Sequence, residues 1–272
     1  MVMTYALTDF FPFFLLAGIF CGCWVLKDHS SRGALFGVFL FIAIITGRIE
    51  MAGVIIALVW GILWASYAKE YRNPWLFILL ILLSFGFKFH YFPGFNNLQV
   101  QGRFWLGIDS PLIGLFPLMI LVPLASTRKE WRQVFLKGSW LTVAGIGGMT
   151  ALALASGTVH WGFKLPPNAG LMYFSNLFLT AIPEEAFYRG FVQGELARRF
   201  KMGKAFSLIL SSLIFTAAHL FWSPSLAIFA FIFLAGLLYG GVYMLSGRIE
   251  SAILCHFLLN FTHMTFFTYH AV

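Results

Sequence analysis
One apolar run follows another along this chain, with only short polar breaks, and that succession limits what it can fold into. The runs fall at about 10–26, 33–47, 51–68, 75–89, 111–127, 138–156, 171–197, 205–222, 225–246 and 249–269. A bilayer-crossing helix needs roughly 17–25 such residues, so most of these runs read as spans. The second and fourth are short, and are tilted, partly buried or halves of a re-entrant pair. The expectation is an all-α, polytopic membrane helix bundle of about 8–10 transmembrane segments. Only 10% of the residues are charged, against roughly 25% in a soluble domain, which leaves almost no room for a soluble domain. The first run lacks a basic segment before it and reads as a retained span.

The formal charge of +8 is spread between apolar runs, as topology-setting loop charge is, so no nucleic acid is expected as a partner. The densest basic loops are Arg198–Lys204 and Arg128–Arg132 with Lys137, two spans apart. Both can face the cytoplasm, and with ten spans Lys27/Arg32 and Lys69/Arg72 fall into the same register. Residues 90–110 and 157–170 and both termini then lie outside. Cys21, Cys23 and Cys255 sit inside apolar runs as small core residues. Gly236/Gly240 and Gly145/Gly148 are small-residue pairs that let helices approach closely.

Against this background, ionisable residues inside three spans stand out. They are Glu184-Glu185 with Arg189, Phe215 with His219, and His256 with Asn260, with His263 continuing the last stripe. A charge in hydrocarbon costs several kcal/mol. On a helix Glu185 and Arg189 are one turn apart and can pair. Glu184 points about 100° away and can face a cavity. Pro183 removes a donor and perturbs the preceding turn. At ~1.5 Å per residue, Glu184 lies about 20 Å from a helix end near 197 and His219 about 22 Å from one near 204. By the same rise Asn260 lies about 18 Å, and His256 about 12 Å, from a start near 248. Four polar groups thus fall in one layer, a polar chamber inside a bilayer.

A carboxylate beside a neutral histidine can hold a water and take its proton. A second histidine and an amide can donate to a developing oxyanion. The chemistry this favours is amide hydrolysis. Two other classes can use such a chamber: a proton-coupled transporter, whose relays need the same residue types, and a non-catalytic immunity or binding protein. Two histidines and a glutamate can also hold zinc, but no metal or other cofactor is expected.

The ordered set Glu184-Glu185…Arg189, Phe215…His219, His256…Asn260 resembles the CAAX-protease and bacteriocin-processing (CPBP) family of intramembrane glutamic proteases, over about the last hundred residues. The resemblance implies that Glu184 is the general base, that His219 orients the water, and that His256 and Asn260 form the oxyanion hole. Glu185, Arg189 and Phe215 support the site. It implies a membrane-anchored protein or peptide as substrate, with CAAX-like or C-terminal sorting-tag processing as the reaction. It also implies a multi-pass location, in a bacterial inner membrane, with the lipid bilayer as the other partner. On this reading residues 136–272 are the catalytic core and residues 1–135 are further membrane helices.

Overall fold
The computed structural model describes residues 6–70, 73–102, 104–165, 168–221 and 225–269. Arg72, one of the loop cations counted above, lies outside the described residues. The chain is an all-α, polytopic membrane bundle. Among the described residues, four helical stretches are long and apolar enough to cross a bilayer: Leu7–Val25, Met51–Lys69, Arg128–Ala155 and Leu226–Ser246.

Packing divides the chain into two units, Met1–Val122 with Phe178–Pro183, and Pro123–Leu177 with Glu184–Val272. In the first, helices α1 (Leu7–Val25), α2 (His29–Ile45), α3 (Met51–Lys69) and α4 (Pro74–Lys88) each touch the short helix α5 (Leu112–Ile120). The fifth apolar run, expected to reach residue 127, is helical for only nine residues. Two prolines explain this. Pro117 has no N–H to donate, and Pro123 disfavours helical backbone at Val122. At about 14 Å α5 is too short to cross a bilayer, and Leu112–Met119 are all buried. Arg32 grips α5 by donating to the Met119 carbonyl, while it also donates to Cys23 and Leu26. Trp60 Nε1 donates to Leu112 O at 3.0 Å. Gly114 lies against the backbone of Pro183, where any Cβ would overlap it.

Between α4 and α5 the stretch expected as a loop forms a small hairpin, β1 (Leu98–Gln101) antiparallel to β2 (Phe104–Leu106). Beside it His90 Nδ1 lies 2.8 Å from Oδ2 of the buried Asp109.

The second unit is built on α12 (Leu226–Ser246). It packs against α6 (Arg128–Lys137), α7 (Ser139–Ala155), α11 (Lys204–Ala217) and α13 (Ile249–Phe266). Small residues set these approaches: Gly145 faces Leu238, and Gly236 faces Ser212 and Phe215. A polar clasp ties α6 to the start of α13. Arg248 Nη2 meets Glu130 Oε1 at 2.8 Å, and Ser251 Oγ donates to Val134 O at 3.2 Å. Glu250 accepts from the Ala125 amide at 2.6 Å. Strand β3 (Val159–Trp161) pairs antiparallel with β4 (Phe267–Tyr269), which directly follows α13.

Candidate active site
Residues 169–198 are helical throughout, in alternating kinds. α8 (Ala169–Phe174) is followed by a π-helical stretch, π1 (Ser175–Ala181), then α9 (Ile182–Glu185), π2 (Ala186–Gln193) and α10 (Gly194–Arg198). π turns bond i to i+5 and tend to occur at functional sites. Pro183, which cannot donate to the turn before it, stands between the two π stretches. The widened turns are supported from outside: buried Ser211 on α11 donates from Oγ to Tyr188 O at 2.7 Å. Because π turns advance less per residue, the sequence-based depth of Glu184 is an overestimate.

Glu185 is at the centre of the cluster. Its Oε2 lies 3.1 Å from Arg189 Nε, and its Oε1 lies 2.8 Å from His256 Nδ1. The arginine contact is close but off the N–H axis, so it is ionic and not a hydrogen bond. Both side chains are fully buried. Arg189 is held by other means as well. Nη2 donates to Gly236 O at 3.3 Å, and the guanidinium carbon lies 4.8 Å from the Phe215 ring centroid and 5.7 Å from that of Tyr239. Its Nη1 has no hydrogen-bond partner among the described residues, and aromatic faces supply the attraction there.

His219 is not inside a helix. α11 ends at Ala217, and His219 lies in the turn beyond it, where its Nδ1 sits 2.8 Å from Phe215 O. A carbonyl only accepts, so Nδ1 carries the proton, and Nε2 of the neutral ring is an acceptor. The helix end is thereby capped by the histidine. Phe215 links the two imidazoles, with ring centroids 4.6 Å from His219 and 6.1 Å from His256. On the other side Tyr239 stacks on His256 at 4.4 Å and 14°.

The structure thus joins Glu185, Arg189, Phe215, His219 and His256 through direct contacts. Glu184 is buried beside them, 2% exposed, within electrostatic reach of the Tyr188 and Tyr239 phenols. Asn260 is half-buried one turn beyond His256 on α13, and His263 packs its ring against Phe267 at 5.5 Å. Sequence reasoning misses Tyr239, Ser211 and Gln193, which donates to Gly240 O at 3.0 Å. The apolar setting of the first two hides them, and only the glycines opposite Arg189 and Gln193 give a signal. Among the described residues, no three His, Cys, Asp or Glu side chains gather closely enough to hold a metal ion.

A membrane helix bundle with a buried carboxylate, arginine and histidine in contact, and a second histidine joined to them through Phe215, defines a class of intramembrane polar centre. The comparison with known families makes it specific. Residues 166–262 match the family described as Type II CAAX prenyl endopeptidase Rce1-like. The match is confined to that segment, contains every candidate residue, and agrees there with the CPBP-type resemblance. No curated protein and no solved structure matches the chain.

Proposed function
We propose that the chain is a glutamate-dependent intramembrane endopeptidase in which Glu184 is the general base. The observation that carries this is the commitment of Glu185. With one oxygen against Arg189 and the other against His256, both oxygens of its carboxylate are engaged by neighbouring side chains. The neighbouring carboxylate, Glu184, is then the group to take a proton from water. His219, with Nδ1 held by Phe215 O, offers Nε2 to orient that water. Hydroxide adds to the scissile carbonyl, and the proton on Glu184 passes to the leaving amide nitrogen as the C–N bond breaks. The products are a carboxylate and an amine.

The contact with Glu185 also sets what His256 can do. Its Nδ1–H points at the carboxylate, so Nε2 donates to an oxyanion only when the ring is an imidazolium, with Glu185 as its counter-charge. Asn260 supplies the neutral donor. The substrate proposed is a membrane-anchored protein cleaved at or beyond the outer leaflet of a bacterial inner membrane. The exposed Trp161, Phe163 and Leu165 beside β3 support a docking surface at that end.

The test compares membrane proteomes of cells carrying the wild type or a Glu184→Ala copy, reading new protein termini. Fragments that appear only with the wild type, and are regenerated by the purified protein, are expected. Identical fragments in both membranes overturn the proposal.

A further inference from the structure
Helix α6 lies in what reads from sequence as a basic loop, and its two sides are chemically distinct. The inner side is occupied. Glu130, the one acidic residue of the helix, caps its start by accepting from Ser126 and Thr127 and pairs with Arg248. Gln133 accepts from Arg248 Nε at 3.3 Å, and Val134 is buried. The outer side carries Arg128, Lys129 and Arg132, none with an ion-pair partner among the described residues, together with Trp131, Phe135 and Leu136. The Trp131 and Phe135 rings stack at 6.1 Å and 25°.

This outer apolar stripe does not end with α6. Beyond Gly138 it continues on α7 as Trp140 and Val143, which are 63% and 72% exposed, on a helical stretch apolar enough to cross a bilayer. The continuity fixes the setting of α6 at the end of a span. Water there would leave three large apolar side chains wet, and hydrocarbon would strip three cations of their hydration. Only the headgroup layer serves both, with rings at the acyl boundary and cations reaching outward to phosphate.

We propose that α6 is an interfacial anchor that gathers anionic phospholipid headgroups through Arg128, Lys129 and Arg132. The occupant is the lipid surface and not a protein, because the cations are unopposed and alternate with rings along a face continuous with a membrane span. The inward turn of Glu130 removes the only charge on the helix that would repel phosphate. The inference is independent of the proteolytic reading.

The test uses the full chain with Cys21, Cys23 and Cys255 replaced and Leu136→Cys carrying a fluorescent label, reconstituted into phosphatidylcholine vesicles containing phosphatidylglycerol. Bromine quenchers are placed on the upper acyl chain of one lipid or the other at equal mole fraction. Brominated phosphatidylglycerol is expected to quench about threefold or more strongly than brominated phosphatidylcholine, since each surface cation enriches anionic lipid severalfold. An Arg128→Gln, Lys129→Gln, Arg132→Gln variant should keep the quenching and lose the preference. Equal quenching by both lipids in the unsubstituted helix, or a preference that survives the triple change, overturns the headgroup site. Absence of quenching by either lipid overturns the interfacial placement.

Discussion

His256 Nδ1 lies 2.8 Å from Glu185 Oε1, while the other oxygen of the same carboxylate faces Arg189. One carboxylate therefore holds two basic side chains from two different helices. The buried cluster is a unit: removing one member leaves the others with uncompensated charge.

Arg189→Ala should then be a folding defect before it is a kinetic one. Removing one partner of a buried ion pair costs about 3–5 kcal/mol. A large drop in the thermal midpoint of the purified protein is expected. Arg189→Lys should recover it only in part, because an ammonium cannot reach the Gly236 carbonyl and face two rings together. A wild-type midpoint for Arg189→Ala would show that the cluster does not bear on stability.

The two adjacent glutamates should separate in the same assay. Glu184→Gln is expected to abolish cleavage and keep the midpoint within a degree or two. Glu185→Gln should lose both, because an amide cannot balance Arg189 and His256. If the two variants behave alike in stability, the division of roles between them is wrong.

Asn260→Ala should leave a residue of activity, because loss of one oxyanion donor costs about a hundred- to a thousandfold. EDTA should leave turnover unchanged. Activity lost in chelator and restored by zinc would reverse the assignment of Glu184 and His219 to water alone.

Acid should weaken the cap of α2. Asp28 accepts from the Ser31 amide at 2.6 Å and from Ser30 Oγ at 2.7 Å, and the backbone bond lowers its carboxyl from the ordinary 3.8 to about 2. A lowered folded-state value means the stabilisation is present above pH 3.8 and is lost as pH falls towards about 2. Between those values the wild type should lose more of its thermal midpoint than Asp28→Ala does. Parallel acid profiles for the two proteins would show that this cap contributes nothing.

Orientation can be read with single cysteines in a cysteine-free background. Tyr91 and Phe163, both exposed, should label from outside intact cells when replaced by cysteine, and Met202→Cys should not. The opposite pattern inverts the topology and moves the proposed cleavage to the cytosolic face.

The elements are legible because long apolar runs leave little choice, and those beginning at 51 and 225 differ from their helices by a residue or so. The meeting of Glu185 with Arg189 follows from their spacing. Its contact with His256 does not, because it joins residues 71 positions apart and depends on how π2 and α13 cross. The π turns are invisible too. Pro183 signals a disturbed turn, but not that the helix around it widens and takes a bond from Ser211. His219 reads as part of a span because residues 218–222 are mostly apolar, whereas the helix stops one turn earlier and uses the imidazole as its cap. Thr127 and Glu130 do spell a capping box, yet α6 reads as loop, because its cations outweigh three apolar residues at helical spacing.

Arg189 and Gln193, four residues apart on π2, donate to Gly236 and Gly240, four residues apart on α12. The two sets mesh like teeth on a rack. Sliding α12 along its axis by one residue would disengage both teeth at once, and sliding it by a whole turn would re-engage only one. Within this unit, the helix that carries the paired glutamates and the helix that stacks Tyr239 on His256 are therefore locked in axial register, and the movement left to α12 is rotation or tilt about that lock.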